Sequence, residues 1–187
     1  MKELVLASQS PRRKELLEKI VPSFILDPAD VDESIDNTKD LKEEIKRLAQ
    51  KKASAVLERH PNAVVIGSDT IVVIDQEVLG KPKDESDAKC MLRKLSGRAH
   101  EVMTGLCVMS NKKTFVDVSI SKVTFANMTD DEIDAYIATK ECDDKAGAYA
   151  IQGYGGKYIE SIEGDYYTIM GLPLNMLYEE FKNIEEY

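Results

Sequence analysis

The sequence predicts an α/β domain with a mixed sheet, and three observations carry that expectation. The runs AVVI at 63–66 and TIVVI at 70–74 are apolar and rich in β-branched residues, as buried strands are. Around such runs lie segments with apolar residues at helical spacing, of which 40–59 is the clearest. The two kinds of segment interleave irregularly, without a repeat of fixed period or a low-complexity linker, which favours a mixed over a fully parallel sheet. At 187 residues and 43% hydrophobic composition, residues 1–187 read as a single domain, or one domain pinched into two lobes.

In chain order, residues 3–7 read as a short buried strand and 8–10 as a polar loop. Residues 11–20 read as a helix with Leu16, Leu17 and Ile20 on one face, started by Ser10 and by Pro11 where no backbone donor is needed. The helix over 40–59 turns Leu41, Ile45, Leu48, Ala49, Ala53, Val56 and Leu57 inward. Ser68 and Asp69 interrupt the next apolar stretch, so two strands are expected there, joined at these residues. Residues 86–94 are helical, closed by Ser96 and Gly97, and 101–109 and 114–125 read as long strands about a turn at 111–113. Thr129, Asp130, Asp131 and Glu132 open a helix through Ala138, with acids where the helix dipole favours them. A glycine-rich stretch follows, and 173–183 is a further helix.

The net charge of -9 argues against a general nucleic-acid binder, which needs a broad basic face, so an anionic ligand must be held by a few cations placed together. The first apolar burst is too short for a signal-peptide core, and nothing approaches a membrane-spanning run. Cys90, Cys107 and Cys142 are widely spaced and fit no metal pattern, which suits reduced thiols in a cytosol, most simply as small buried hydrophobes. With only His60 and His100 available, a metal should be a hard cation, magnesium or manganese, held by carboxylates and phosphate oxygens.

The SQSPRR loop sets the N-terminus of a helix beside the guanidinium groups of Arg12 and Arg13, which suits a phosphate chain. The plainer reading has both arginines solvated in a first turn, and the two stand about even. Asp69 is the best candidate for a catalytic carboxylate, because an acid between apolar strands is costly to bury unless it meets a metal, a cation or a water. An aspartate in a turn between strands explains it more simply. Ser68 and Thr70 add ordinary hydroxyls. Lys52 and Lys81 can reach an anion, although each alone is more often solvated, and Glu33 in the acidic run can hold a metal or face water. Gln152 carries donor and acceptor on one group, as a base-reading amide does, or simply satisfies a glycine-rich turn. The patterns GxxxxGK[ST], GxGxxG after a strand and GxSxG are absent.

Taken together, LASQSPRRKELL, VDES, AQKKASAV, GSDTIVV, LGKP, LSGRAHEVMTG, DKAGAYAIQG and GDYYTIMGLPL resemble, in this order, the motifs of the Maf family of nucleoside triphosphate pyrophosphatases. The resemblance implies a two-lobed α/β fold with a long curved mixed sheet and flanking helices, related to inosine triphosphate pyrophosphatases, with the site in the cleft. It implies that Asp69 is the proton acceptor, that Ser8, Arg12, Arg13, Lys52 and Lys81 bind the phosphates, and that Glu33 and Asp69 hold a divalent metal. Arg12, Thr70 and Gln152 match the specificity positions of the branch acting on dTTP and UTP, and differ from the branch acting on 7-methyl-GTP. The chain departs from the usual pattern at Gly156, where alanine is frequent, at Thr168, where asparagine is frequent, and in the ECDD before Lys145. These departures bear on substrate range. The activity implied is hydrolysis of dTTP and UTP to the monophosphate and pyrophosphate, as house-cleaning of non-standard nucleotides in the cytoplasm. The partner is then the nucleotide, with no nucleic acid or membrane, and a homodimer is the assembly to test. Competing readings are a 7-methyl-GTP pyrophosphatase, a non-enzymatic nucleotide-binding regulator of septum formation, and hydrolysis at the γ-phosphate.

Overall fold

The computed structural model describes residues 3–183. Its elements are β1 (Leu4–Leu6), α1 (Pro11–Glu18), β2 (Ile25–Leu26), α2 (Leu41–Leu57), β3 (Val64–Ile74), β4 (Glu77–Leu79), α3 (Glu85–Leu95), β5 (Ala99–Met109), β6 (Thr114–Phe125), α4 (Asp130–Ile137), β7 (Ile159–Glu163), α5 (Tyr166–Met170) and α6 (Leu174–Lys182). The seven strands form one sheet in the order β2-β1-β3-β5-β6-β7, with β4 paired to β3. The sheet is mixed as expected. Strand β1 runs parallel to β2 and β3, whereas β3 with β4 and β6 with β7 are antiparallel.

The chain divides into two compact units. The first holds the residues up to Thr70, Thr104–Ser119 and the stretch from Gly171 onward. Here α1 and α2 are the crossovers that parallel pairing of β1 with β2 and β3 requires. The core of α2 is made of small residues: Ala49 and Ala53, with Val56, pack on Val5, Ala7, Val65 and Cys107. They pack closely because the strands offer glycines. A Cβ on Gly67 would stand 2.2 Å from the Ala49 carbonyl oxygen, and one on Gly105 would stand 2.4 Å from that of Ile45.

The far end of α2 is tied down by charge. Arg59 donates to both oxygens of Asp27, and the His60 ring sits between Asp27 (2.9 Å) and Glu3 (3.1 Å).

The second unit comprises Ile71–Met103 and Ile120–Met170. Its core gathers Leu92 and Leu95 of α3, Ile133, Tyr136 and Ile137 of α4, and Val123 and Phe125 of β6. Helix α4 starts where expected, with a capping box in which Thr129 and Glu132 each accept from the other's backbone N–H. Strand β4, which the sequence did not announce, returns on β3 through Asp75 and Gln76, both at positive φ. That conformation suits a two-residue hairpin but normally calls for Asn or Gly, and here Arg98 holds Asp75 by two hydrogen bonds of 2.7 and 2.8 Å. His100 is buried against Phe125 and Tyr149, with Nε2 2.8 Å from the Tyr149 hydroxyl. Among the described residues its Nδ1 has no hydrogen-bond partner.

Three sequence expectations are corrected. Cys90 is exposed, and only Cys107 and Cys142 are buried. Helix α1 ends at Glu18, leaving Ile20 in the turn after it, half-buried. Val64–Ile74 is one continuous strand, not two joined at Ser68 and Asp69. The polar residues do not break the strand, because each finds a fixed partner within the fold, as the site shows.

The two histidines should titrate on opposite sides of the ordinary value of 6.5. Hydrogen bonds to Asp27, and then to Glu3, raise His60, so its contribution is full below 6.5 and is lost as pH rises through its folded value. Burial pushes His100 down to about 4, so below 6.5 the unfolded chain takes up the proton first. Stability is then lost as pH falls from 6.5 toward 4, by roughly 3 kcal/mol in all. A proton NMR titration resolves the two rings, and coincident midpoints near 6.5 would contradict both environments.

Candidate active site

The site of the first unit follows from side-chain alternation along β3. Gly67 and Asp69 point to the face carrying α2, while Ser68 and Thr70 point to the other. On the α2 face, the close approach at Gly67 brings Lys52, next to Ala53, down to the strand. The Lys52 ammonium is buried, with Nζ 2.7 Å from Asp69 Oδ1 and 2.7 Å from Glu33 Oε1. Asp69 is mostly buried and Glu33 is about half-exposed. One ammonium therefore holds two carboxylates within its own reach, and each partner offsets the cost of burying the other.

Glu33 is delivered by a loop anchored to the same helix. Lys51 donates to the Asp32 carbonyl at 2.9 Å, Arg47 to the Ser34 carbonyl at 3.1 Å, and the Asp36 N–H donates to Glu44 at 3.2 Å.

On the opposite face, Arg13 is not a solvated first-turn residue. Ser10 caps α1 and Pro11 starts it, and the Arg13 side chain turns inward. Its Nε donates to the Gly171 carbonyl at 2.7 Å, Nη2 to Thr70 Oγ1 at 3.1 Å and Nη1 to Ser8 Oγ at 3.4 Å. Burial lowers the pKa of this guanidinium, and the charge of Asp69 works against that shift. The Gly171 carbonyl also accepts from Ser68 Oγ at 3.0 Å, and Thr70 Oγ1 lies 2.9 Å from Thr104 Oγ1. Gly171 has φ of +105, which favours glycine at this point.

Ser8, Arg13, Glu33, Lys52, Asp69 and Thr70 are thus joined into two hydrogen-bonded groups on the two faces of one strand. Arg12 precedes Arg13 in the first turn of α1 and is half-buried. Lys81 and Gln152 belong to the second unit. Lys81 is exposed after β4, and Gln152 is exposed in the turn leading into a 3₁₀ segment at Tyr154–Tyr158. Sequence reasoning gave no role to Gly171 or Thr104. The only signal for the first was a lone glycine before LPL in IMGLPL.

No group of three or more His, Cys, Asp or Glu side chains suited to a metal exists among the described residues. Two carboxylates, completed by phosphate oxygens and water, are nevertheless a donor set that magnesium commonly takes. Glu33 and Asp69 fit that shared mode and do not fit a site built from protein ligands alone.

Fold and site together define an α/β protein that offers fixed cations and paired carboxylates to an anionic, oxygen-rich ligand. The chain belongs to the Maf-like protein family, whose model matches residues 3–184. It is 48% identical over 185 residues to a dTTP/UTP pyrophosphatase of Bacillus cytotoxicus, covering 99% of this chain and 97% of the relative. A dTTP/UTP pyrophosphatase of Pyrococcus abyssi is 47% identical over 179 residues, covering 96% and 95%. In fold the chain is similar to the solved Staphylococcus aureus Ham1 protein, with a TM-score of 0.54 at 15% identity, over 97% of this chain and 99% of that one.

The two basic residues should separate by stability. Arg13→Ala removes three hydrogen bonds from a charged donor and should cost about 2 kcal/mol, a fall in Tm of roughly 4–8 °C for a chain of this size. Lys81→Ala should leave Tm unchanged while lowering turnover. Equal melting of the two variants would show that Arg13 does not brace the fold.

Proposed function

We propose that this chain hydrolyses dTTP and UTP to dTMP or UMP and pyrophosphate. The observation that carries the reading is the Lys52 ammonium set between Asp69 and Glu33 in a member of this family. The relatives named dTTP/UTP pyrophosphatase support the substrate class, as does the presence of Arg12, Thr70 and Gln152 at the specificity positions, against the 7-methyl-GTP alternative.

In this reaction water attacks the α-phosphorus. The new P–O bond forms as the bond to the β-bridging oxygen breaks, pyrophosphate leaves, and Asp69 accepts the water's proton. Lys52 donates to Oδ1 of Asp69 and so fixes its orientation, and Oδ2 is the oxygen assigned to the water. Arg12, Arg13, Ser8 and Lys81 serve the phosphate chain, and Gln152 reads the pyrimidine.

Thr70 has its hydroxyl engaged with Arg13 and Thr104, so its influence on substrate runs through the placing of Arg13. A magnesium or manganese ion, held by Glu33 and Asp69 together with the phosphates, would supply a lowered water pKa and screening of the phosphate oxygens. The protein is placed in the cytoplasm, where its nucleotide substrates are, with no nucleic-acid or membrane partner and a homodimer as the assembly to test. No helix among the described residues is long and apolar enough to cross a membrane.

A nucleotide panel with magnesium or manganese, scored separately for pyrophosphate and orthophosphate, should give pyrophosphate first from dTTP and UTP. Orthophosphate as first product would overturn the reaction. Asp69→Asn keeps the shape and one acceptor for Lys52 but loses basicity, so kcat should fall on the order of a hundredfold to ten-thousandfold with nucleotide affinity retained. If the variant turned over normally, Asp69 would be a structural partner of Lys52, and the protein could not be activating water through it.

A further inference from the structure

A second polar network lies wholly within the second unit, where the proposed reaction assigns no role to its carboxylate. Glu141 stands in the ECDD stretch after α4 and is half-buried. Its Oε1 accepts from the Tyr154 N–H at 2.9 Å, and its Oε2 accepts from the Gly155 N–H at 3.0 Å and from the Tyr136 hydroxyl at 2.8 Å. That hydroxyl in turn accepts from the Ala150 N–H at 3.1 Å. Tyr136 is held in the core, edge-on to Tyr158 with ring centroids 5.9 Å apart. Burial, and then the hydrogen bond to Glu141, raise its pKa, so it stays a neutral donor.

These bonds fasten the backbone on both sides of Gln152. Ala150 is tied to Tyr136, and Tyr154 and Gly155 are tied to Glu141, two and three residues further on. The fit leaves no spare room, since a Cβ on Gly153 would stand 1.7 Å from Glu141 Oε1 and one on Gly155 would stand 2.8 Å from both the Ala150 carbonyl oxygen and the Tyr136 hydroxyl. The Gln152 side chain itself is exposed, and no hydrogen bond from the described residues holds it.

We infer that Glu141, braced by Tyr136, is a positioning residue for base selectivity: it fixes the backbone of the 150–155 turn, and with it the point and direction from which the Gln152 side chain reaches the base. The inference rests on the reading of Gln152 as the group that recognises the pyrimidine. The physical reason is that a carboxamide separates uracil from cytosine only if its donor and acceptor meet the base at a set place, and a turn free to shift would let the side chain follow either base to its best pairing. A carboxylate taking three hydrogen bonds, two of them from successive backbone N–H groups, sets that place from outside the contact with substrate.

The test is kcat/KM for UTP and for CTP in the wild type, Gln152→Ala, Glu141→Ala, Glu141→Gln and the double variant Glu141→Ala/Gln152→Ala, with amide exchange at Tyr154 and Gly155 as the local readout. Glu141→Ala should speed both amides and bring the UTP/CTP ratio down to that of Gln152→Ala. The double variant should show no further change in the ratio. Glu141→Gln, which keeps one acceptor oxygen and the side-chain shape, should lie between and remains informative if the alanine variant fails to fold. Faster exchange with an unchanged ratio, or equal loss on both nucleotides, would reduce Glu141 to a structural residue and overturn the inference. A ratio that Gln152→Ala itself does not move would instead remove the base-reading role of Gln152, and the inference would fall with it for that separate reason.

Discussion

The contact on which the first unit depends is the seating of the Lys52 ammonium between Asp69 and Glu33. A buried lysine without a partner and a carboxylate in the middle of a central strand are each unfavourable by several kcal/mol, and each makes the other tolerable. The contact is possible only because α2 lies nearly on the backbone of the sheet. Gly67 and Gly105 remove the side chains that would hold it off, and Ala49 and Ala53 keep its own surface low. The apolar packing of one helix thus determines where an ammonium can reach.

The opposite face of β3 is organised on a different principle. There the constraint is hydrogen-bond saturation around a guanidinium and one carbonyl. Arg13 and Ser68 together fill the acceptor capacity of the Gly171 oxygen, and Thr70 links Arg13 to Thr104. Because Ser68, Asp69 and Thr70 are consecutive, both arrangements share one backbone segment whose position the sheet fixes. Groups held in this way need little reorganisation when charge develops on a substrate, the condition under which polar side chains are most effective in catalysis.

Much of this was legible in the sequence. The helical spacing of α2, the Ser10–Pro11 start of α1, the acidic start of α4 and the mixed sheet all follow from local pattern, and the site residues of the first unit were singled out except Gly171 and Thr104. What failed has a common cause. Ser68 and Asp69 were read as a break because a polar pair in an apolar run signals a turn, whereas tertiary partners 17 and 103 residues away keep the strand intact. The hairpin at Asp75 and Gln76 lacks the usual glycine because Arg98 stabilises it from elsewhere. Glu141 was legible only as part of an ECDD stretch that departs from the family pattern, since nothing local shows that two amides beyond Gln152 need an acceptor. Periodicity reports on neighbours along the chain, and each of these features is decided by a residue far from it in sequence.

Charge gives the last constraint. The chain carries 34 acids against 25 lysines and arginines, so its overall field repels a nucleotide rather than steering one in. Within the first unit the paired groups also nearly cancel, with Arg13 and Lys52 facing Asp69 and Glu33. Affinity for a triphosphate therefore cannot come from long-range attraction and must arise at contact, where Lys52 has three donors to divide among its carboxylates and a phosphate, and Arg13 has two N–H bonds beyond the three it spends on the protein. Such a site would favour a ligand that brings its own counter-charge, as the proposed metal-bound nucleotide would. If the substrate carries a divalent cation, as proposed above, a near-neutral cluster suits it better than a surplus of lysines would.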